Sequence, residues 1–382
     1  MGTWHIYDWP RKMIAFIQHA PDGLRLPLDK SQQSSLRQVQ TFLNTQDGDG
    51  QITTVFPPDE YAIDSVAVTR DSLLEKLLSV ASLGNIQLSL RHTSGATYPY
   101  DFGKKAVAEC MAIMAEERHY GKDQEMPRYP YRVARELAAR EYAPMADDED
   151  RLFALCDTEL MHPLPGWAFY HLLQEMKKEV FSGSTGESVI DYGLATYKRW
   201  GWDIEKQREN AVQGFQKAVD DLFRGDAYAE TALWLKTIMV MGHNLREEDP
   251  YFALKLFQDA PFGPFMTGIW LQVGGPHCIN EANERCIQLP QHLYEYPGLV
   301  DKVFPQRLRI VHQFIQLLAG GKVPCALYDI CAHSQPPIVD DRCLTAPWER
   351  VNDQKKCPYA AAWINWGFHG RTWHIKGHTI KT

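Results

Sequence analysis

The sequence predicts a mainly α-helical protein: a helix-turn-helix repeat array, preceded by a smaller α or α/β region and followed by a Cys- and Trp-rich cap. Three observations predict it. Between Trp167 and Val273 apolar residues recur at helical spacing with only short breaks. An eight-residue segment recurs within that stretch, and six of the eight cysteines lie from Cys278 onward. The expected division is therefore 1–150 for the N-terminal region, 151–275 for the array and 276–382 for the cap.

Composition bounds the alternatives. A chain of 382 residues has room for two domains, and 45% apolar with 23% charged residues is the ordinary globular range, so fibrous and disordered classes are set aside. A net charge of -8 argues against binding a phosphate backbone as the main role. No run approaches the ~20 apolar residues of a membrane span. The opening residues Met1 to His5 lack the basic, apolar, small-residue order of a secretory signal.

Taken in chain order, Ser34 to Leu43 carries Leu36, Val39, Phe42 and Leu43 at helical spacing, and Ser72 to Leu83 does the same with Leu73, Leu74, Leu77, Leu78 and Ala81. Ile86 to Leu90 alternates with period two after the Gly84-Asn85 turn, which predicts a half-buried strand. Phe102 to Glu117 predicts a helix with Ala106, Val107, Cys110, Ile113 and Met114 inside. Prolines between Met126 and Tyr131 break the pattern, and the Ala-, Arg- and Glu-rich Arg132 to Tyr142 resumes it. The acidic run Asp147 to Asp150 fits either a solvated boundary or the cap of the next helix.

Within the array, Ala211-Val212-Gln213-Gly214-Phe215-Gln216-Lys217-Ala218 recurs as Ala253-Leu254-Lys255-Leu256-Phe257-Gln258-Asp259-Ala260, each copy following a glycine, Gly201 or Gly242. Each places small and large apolar residues on one helical face, which lets a neighbouring helix approach. Ser182 to Gly186, Arg224 to Asp226 and Pro261 to Pro264 are the expected turns. A weaker unit uses Phe169, Leu172, Leu173 and Met176, then Ile190, Gly193, Leu194 and Tyr197.

The glycine, the short polar link and Ala-x-x-x-Phe-x-x-Ala resemble a Sel1-like repeat, a relative of the tetratricopeptide repeat. The resemblance implies an α-solenoid whose concave face binds another protein, as adaptors do and as some bacterial immunity proteins do with a secreted toxin. Stacked helix pairs leave one broad surface for a partner. Trp200, Trp202, Tyr228, Trp234, Tyr251 and Trp270 are dense in this region and are the candidate anchors, against the alternative that they fill gaps between helices.

Other chemistry is weighed residue by residue. Asp47-Gly48-Asp49-Gly50-Gln51-Ile52 resembles the middle of a calcium loop, but Thr45 and Phe56 stand where the first and twelfth ligands belong, so an Asp-Gly turn is expected instead. Cys110 and Cys156 read as buried thiols. Cys278, Cys286, Cys325, Cys331, Cys343 and Cys357 fit disulfides in an oxidising compartment, free thiols, or zinc with nearby histidines, and no Cys-x-x-Cys knuckle selects zinc. Cys325, Cys331 and His333 are the metal candidates, and no other cofactor is expected.

The tail from Lys355 onward has no carboxylate but carries Lys355, Lys356, Arg371, Lys376 and Lys381 beside Trp363, Trp366, Phe368 and Trp373. It suits an acidic partner, a glycan or single-stranded nucleic acid, or else packs back as a cap, the reading preferred. Nucleophile-elbow, phosphate-loop and zinc-protease motifs are absent from the sequence. Glu116-Glu117 with His119, and Asp340-Asp341 near His333, are the remaining acid/base candidates.

The expectation is non-catalytic protein binding, of an adaptor or toxin-neutralising kind. A zinc-dependent enzyme and a carbohydrate-binding protein are the alternatives. The compartment expected is periplasmic or otherwise oxidising if disulfides form and a leader has been removed, and cytoplasmic otherwise.

Overall fold

A computed structural model describes residues 24–26, 61–70, 84–121, 131–260, 263–274, 278–279, 285–286, 307–318, 324–334, 336–375 and 378–381. It is mainly helical, with a small antiparallel sheet on the N-terminal side. The helices expected at 34–43 and 72–83 and the calcium-like loop at 47–52 lie outside the described residues. The chain divides into two compact units, one of residues 41–210 and 244–268, the other of residues 1–40, 211–243 and 269–382. This differs from the three consecutive regions expected from sequence, because residues on both sides of Asp150 share one core.

The first unit is built on helix α3 (Glu149–Glu159) and is called the α3 unit. Its sheet takes β2 (Tyr61–Arg70), β3 (Gly84–His92) and β4 (Thr97–Phe102) in that order, all antiparallel. The strand expected at Ile86 to Leu90 is the middle of β3, and Ile86, Leu88 and Leu90 are its buried face, as period two requires. Helix α1 (Lys104–Tyr120) follows, and all five residues expected inside are buried. After α2 (Val133–Tyr142), the acidic run resolves as a cap: Asp148 accepts a hydrogen bond from the Arg151 N–H at 2.9 Å at the start of α3.

Every residue of α3 from Leu152 to Glu159 is buried. Such burial on all sides fits a central helix rather than a surface one. Helix α3 packs against α1, against α4 (Pro165–Glu179), against α5 (Gly186–Arg199) and against α8 (Phe252–Gln258). Phe153 stacks on Phe257 with ring centroids 4.1 Å apart. Gly193 of α5 comes so close to Thr158 that an added Cβ would lie 2.5 Å from its Cγ2.

Helices α6 (Ile204–Leu222), α7 (Ala229–Glu248) and α9 (Pro264–Val273) complete the helical stretch; the turns expected at Ser182 to Gly186 and Arg224 to Asp226 fall between α4 and α5 and between α6 and α7, and the one expected at Pro261 to Pro264 lies partly outside the described residues. The two repeat copies are not equivalent. Ala211 to Ala218 is the exposed-to-half-buried middle of the 19-residue α6, whereas Ala253, Leu254 and Phe257 of the seven-residue α8 are core.

The second unit is centred on α13 (Pro358–Asn365) and is called the α13 unit. It includes α10 (Arg309–Leu318), α11 (Tyr328–Ala332), α12 (Arg342–Thr345) and a 3-10 turn at Pro347–Asn352. Strand β7 (Thr372–Ile375) lies between β1 (Leu24–Leu26), to which it is parallel, and β8 (His378–Lys381). A two-residue ladder, β5 (Cys278–Ile279) with β6 (Arg285–Cys286), sets Cys278 opposite Cys286 in register. The tail aromatics Trp363, Trp366, Phe368 and Trp373 are fully buried here with Phe314 and Tyr359, so the tail packs back as core. Trp366 Nε1 donates to Leu222 O at 3.0 Å and Trp373 Nε1 to Phe368 O at 2.7 Å, which satisfies both indoles.

Candidate functional site

The aromatics expected to anchor a partner are placed by burial. Trp202 and Tyr228 are core residues, a correction to their role as exposed anchors: the Trp202 ring stands edge-on to His162 at 4.6 Å, and the Tyr228 hydroxyl donates to Pro358 O at 2.8 Å. Trp200 is half-buried against Trp167, and the Tyr251 hydroxyl is tied to Asp191 at 2.6 Å. Trp234 and Trp270 are half-buried as well. Gap filling between helices accounts for Trp202 and Tyr228.

The acid/base candidates are engaged elsewhere. Glu117 receives Arg132 Nη2 at 2.7 Å, and Asp340 receives Arg342 Nη2 at 2.7 Å. The Arg342 guanidinium beside Asp340 holds that carboxyl below its ordinary range, which suits it poorly to carry protons near neutral pH.

What the α13 unit does contain is a cavity of about 1000 Å³. The turn between α6 and α7 supplies Arg224 and Asp226; α11 supplies Ile330 and Cys331; Lys355, Lys356 and Cys357 lead into α13, which supplies Ala361 and Ile364. Arg307 and Arg350 complete a wall that carries five cationic side chains and one carboxylate, Asp226. The site is held from below. Tyr228 OH is fixed to Pro358 O, and Asn365 Nδ2 donates to Arg224 O at 3.1 Å.

The cations are positioned by carbonyls of the cavity wall, Ala227 O for Arg307 and Ile338 O for Arg350, and by groups outside it. Arg350 Nε donates to Asp353 at 3.0 Å and Arg307 lies 3.4 Å from Glu230, while Lys356 Nζ donates to the carbonyls of Val351 and Asp353. Arg224 bonds Asp221 at 2.5 Å, and Lys355 is exposed. The carboxylates paired with Arg224, Arg307 and Arg350 fix the guanidiniums in place.

Cys331 and Cys357 belong to the same wall. Burial pushes the Cys331 thiol up to about 11 and the Cys325 thiol up to about 12. Both are protonated at neutral pH and so are poor nucleophiles. Of the metal candidates, Cys325 and Cys331 both pack against the core of the α13 unit, whereas His333 is exposed with its Nδ1 2.6 Å from Asp329 O. Among the described residues, no three His, Cys, Asp or Glu side chains stand at the spacing that one metal ion takes. Cys110, Cys156, Cys325, Cys331, Cys343 and Cys357 are free thiols.

Sequence reasoning missed Arg224, Arg307 and Arg350 as site residues. Lone arginines carry no pattern, and only the fold collects them. The doublet Lys355-Lys356 before a Cys-Pro helix start was the readable signal.

No family model matches the chain, and neither a characterised protein nor a solved structure is similar to it. Among the described residues no helix is long and apolar enough to cross a membrane.

Proposed function

We propose that the protein is a non-catalytic binding protein whose site is the cationic cavity of the α13 unit, and that its ligand is an organic anion with an apolar body. One observation carries this reading: five cations and one carboxylate line a cavity whose floor is Leu327, Ile330, Ile338, Ala361 and Ile364. A cavity of about 1000 Å³ is at the upper end for small-molecule sites, which combine apolar walls with a few placed polar groups. The local positive field on a chain of net charge -8 selects anions without making the whole surface sticky for them. Protonated thiols support binding over thiol catalysis.

The test is a fluorescence titration with 8-anilinonaphthalene-1-sulfonate, and with N-phenyl-1-naphthylamine as its uncharged counterpart. Saturable binding of the sulfonate, at least tenfold weaker in a Lys355→Glu/Arg224→Glu variant whose melt is unchanged, supports the site. Equal binding of the two dyes, or of the sulfonate by both proteins, removes it.

The second reading keeps a protein partner, of an adaptor or toxin-neutralising kind, on a Sel1-like helical surface. Leu233 beside Trp234 and Leu271 beside Trp270 favour it, since both leucines are exposed on helices. Alanine at Trp234 and Trp270 should weaken a partner complex while leaving the melt cooperative. A lost melt would return those residues to the core.

A further inference from the structure

Cys325 and Cys343 meet across a backbone hydrogen bond. The Cys325 N–H, in the turn before α11, donates to the Cys343 carbonyl of α12 at 2.7 Å. That distance bounds another: with ordinary bond lengths and angles, the two Cα atoms are at most about 6.6 Å apart. Disulfides span Cα separations of about 4.4 to 6.8 Å, so the backbone already holds these two residues at bridging distance. Both are free thiols in this structure.

Both ends of the pair are fixed. Gln313 of α10, itself buried, donates from Nε2 to Pro324 O and accepts from the Ala326 N–H, each at 2.8 Å, so the residues on either side of Cys325 are clamped. The Cys343 N–H donates to Asp340 O at 3.0 Å, and Arg350 Nη1 donates both to Cys343 Sγ at 3.2 Å and to Ile338 O. Two groups held in this way have already lost much of the freedom that joining them would remove. Between them the chain passes through Leu327, Ile330, Cys331, Ser334 and Ile338, all on the cavity wall. A bond from residue 325 to residue 343 would close a loop through that wall and restrict its motion.

We propose that Cys325 and Cys343 are a reversible disulfide pair, a modification site whose oxidation locks the segment between them and so tunes the anion cavity. The oxidant is a small-molecule disulfide of the glutathione type. One cysteine, as its thiolate, attacks that disulfide and releases a small thiol; the other then attacks the mixed disulfide and releases the second. The oxidant's S–S bond breaks, the Cys325–Cys343 bond forms, and two protons and two electrons pass to the two released thiols. Burial pushes the Cys325 thiol up to about 12, so the reaction should be slow at neutral pH and quicken as pH rises. The tuning rests on the anion reading, whereas the bond itself does not.

In the experiment, the full chain is equilibrated in glutathione buffers of increasing oxidised fraction, quenched in acid, alkylated and digested. The expected result is a linked peptide joining Cys325 to Cys343 that disappears on treatment with dithiothreitol. Amide hydrogen exchange between residues 326 and 342 should slow at least threefold on oxidation, and the affinity for 8-anilinonaphthalene-1-sulfonate should shift at least threefold. Cys325→Ser and Cys343→Ser should each abolish the linked peptide, while Cys110→Ser in the α3 unit keeps it. A serine variant can lose its fold, so the deciding comparison is the unaltered chain in its two redox states. Both thiols still free in the most oxidising buffer, a different partner for either cysteine, unchanged exchange in the linked form, or equal dye affinity in the two states would each overturn the proposal. A dye that binds neither state, with the link and the slowed exchange in place, would overturn the anion reading and leave the disulfide pair standing.

Discussion

The Tyr197 hydroxyl donates to Glu159 Oε2 at 2.6 Å, and neither residue has any exposed surface. Glu159 Oε1 has no partner among the described residues, and nearby His162, whose ring centroid is 5.3 Å from that of Tyr197, leaves Nε2 unpartnered too. The Leu164 N–H donates to His162 Nδ1 at 3.0 Å, so in the neutral ring the proton sits on Nε2. Burial holds Glu159 well above its ordinary 4.5 and His162 down to about 3. His162 is therefore uncharged in the folded protein near neutrality, and Glu159 keeps its proton well beyond the ordinary carboxylate range.

Stability should respond to pH from both. Above pH 4.5 the unfolded chain loses the Glu159 proton that the folded one keeps, so stability falls as pH rises. Below pH 6.5 the unfolded chain binds a proton at His162 that the folded one refuses down to about pH 3, so stability falls as pH drops. Above 4.5 and below 6.5 the two slopes oppose each other. Glu159→Gln removes only the first, so the unfolding free energy of wild type minus variant should decline as pH rises above 4.5, until the folded carboxyl itself ionises. Urea unfolding of both proteins from pH 4 to 9 checks this. A pH-independent difference would place a charged Glu159 in the fold.

Asp157, on the same helix, is bound in a different way. Arg246 Nη1 and Nη2 donate to its two oxygens at 2.6 and 2.7 Å, with Asp157 3% and Arg246 14% exposed, and the guanidinium lies 4.6 Å from the Phe252 ring. Asp157→Ala should cost about 3 to 5 kcal/mol, because it strands a buried cation. The double change Asp157→Leu/Arg246→Met should recover most of the loss. A double variant no better than the single one would show that shape, not charge, is what the pair supplies.

The sequence made helix faces and turns legible because they depend on neighbours three or four residues away. The five inward residues of α1, the alternating β3 and the α6–α7 turn are such cases. Glu159 and His162 were not legible, since a polar residue is buried by tertiary packing that periodicity does not record. The thiols were half legible. Crowding marked them, but nearness along the chain does not bring His333 to Cys331, since its Nδ1 sits 2.6 Å from Asp329 O. Aromatic density likewise could not tell the buried Trp202 and Tyr228 from surface anchors.

Gly166 lies where α4 starts against the end of β4. A Cβ there would lie 2.2 Å from Phe102 O and 2.8 Å from Gly103 Cα, both backbone atoms that cannot rotate away. Gly166→Ala should therefore destabilise the α3 unit by about 1 to 3 kcal/mol despite alanine's better helix propensity. Gly214→Ala is the control, with open space around it in mid-helix α6, and it should stabilise slightly. Thermal melts of the two variants should move in opposite directions, and a neutral Gly166→Ala would mean that α4 is free to slide on the sheet.

Val180 ends α4 with φ 52°, and it is the one non-glycine residue in the left-handed region among those described. That conformation lets the Phe181 N–H reach Met176 O at 2.9 Å and close the helix end. A β-branched side chain is strained there by roughly 1 to 2 kcal/mol, and with 76% of its surface exposed Val180 recovers little by packing. Glycine removes the strain but raises the entropy of the unfolded chain, so the net gain is smaller. Val180→Gly should raise stability by about 1 kcal/mol and the melting temperature by roughly 2 to 4 °C. Val180→Ala, which keeps the Cβ, should gain less. Equal gains in the two variants would trace the effect to β-branching and leave the left-handed cap without cost.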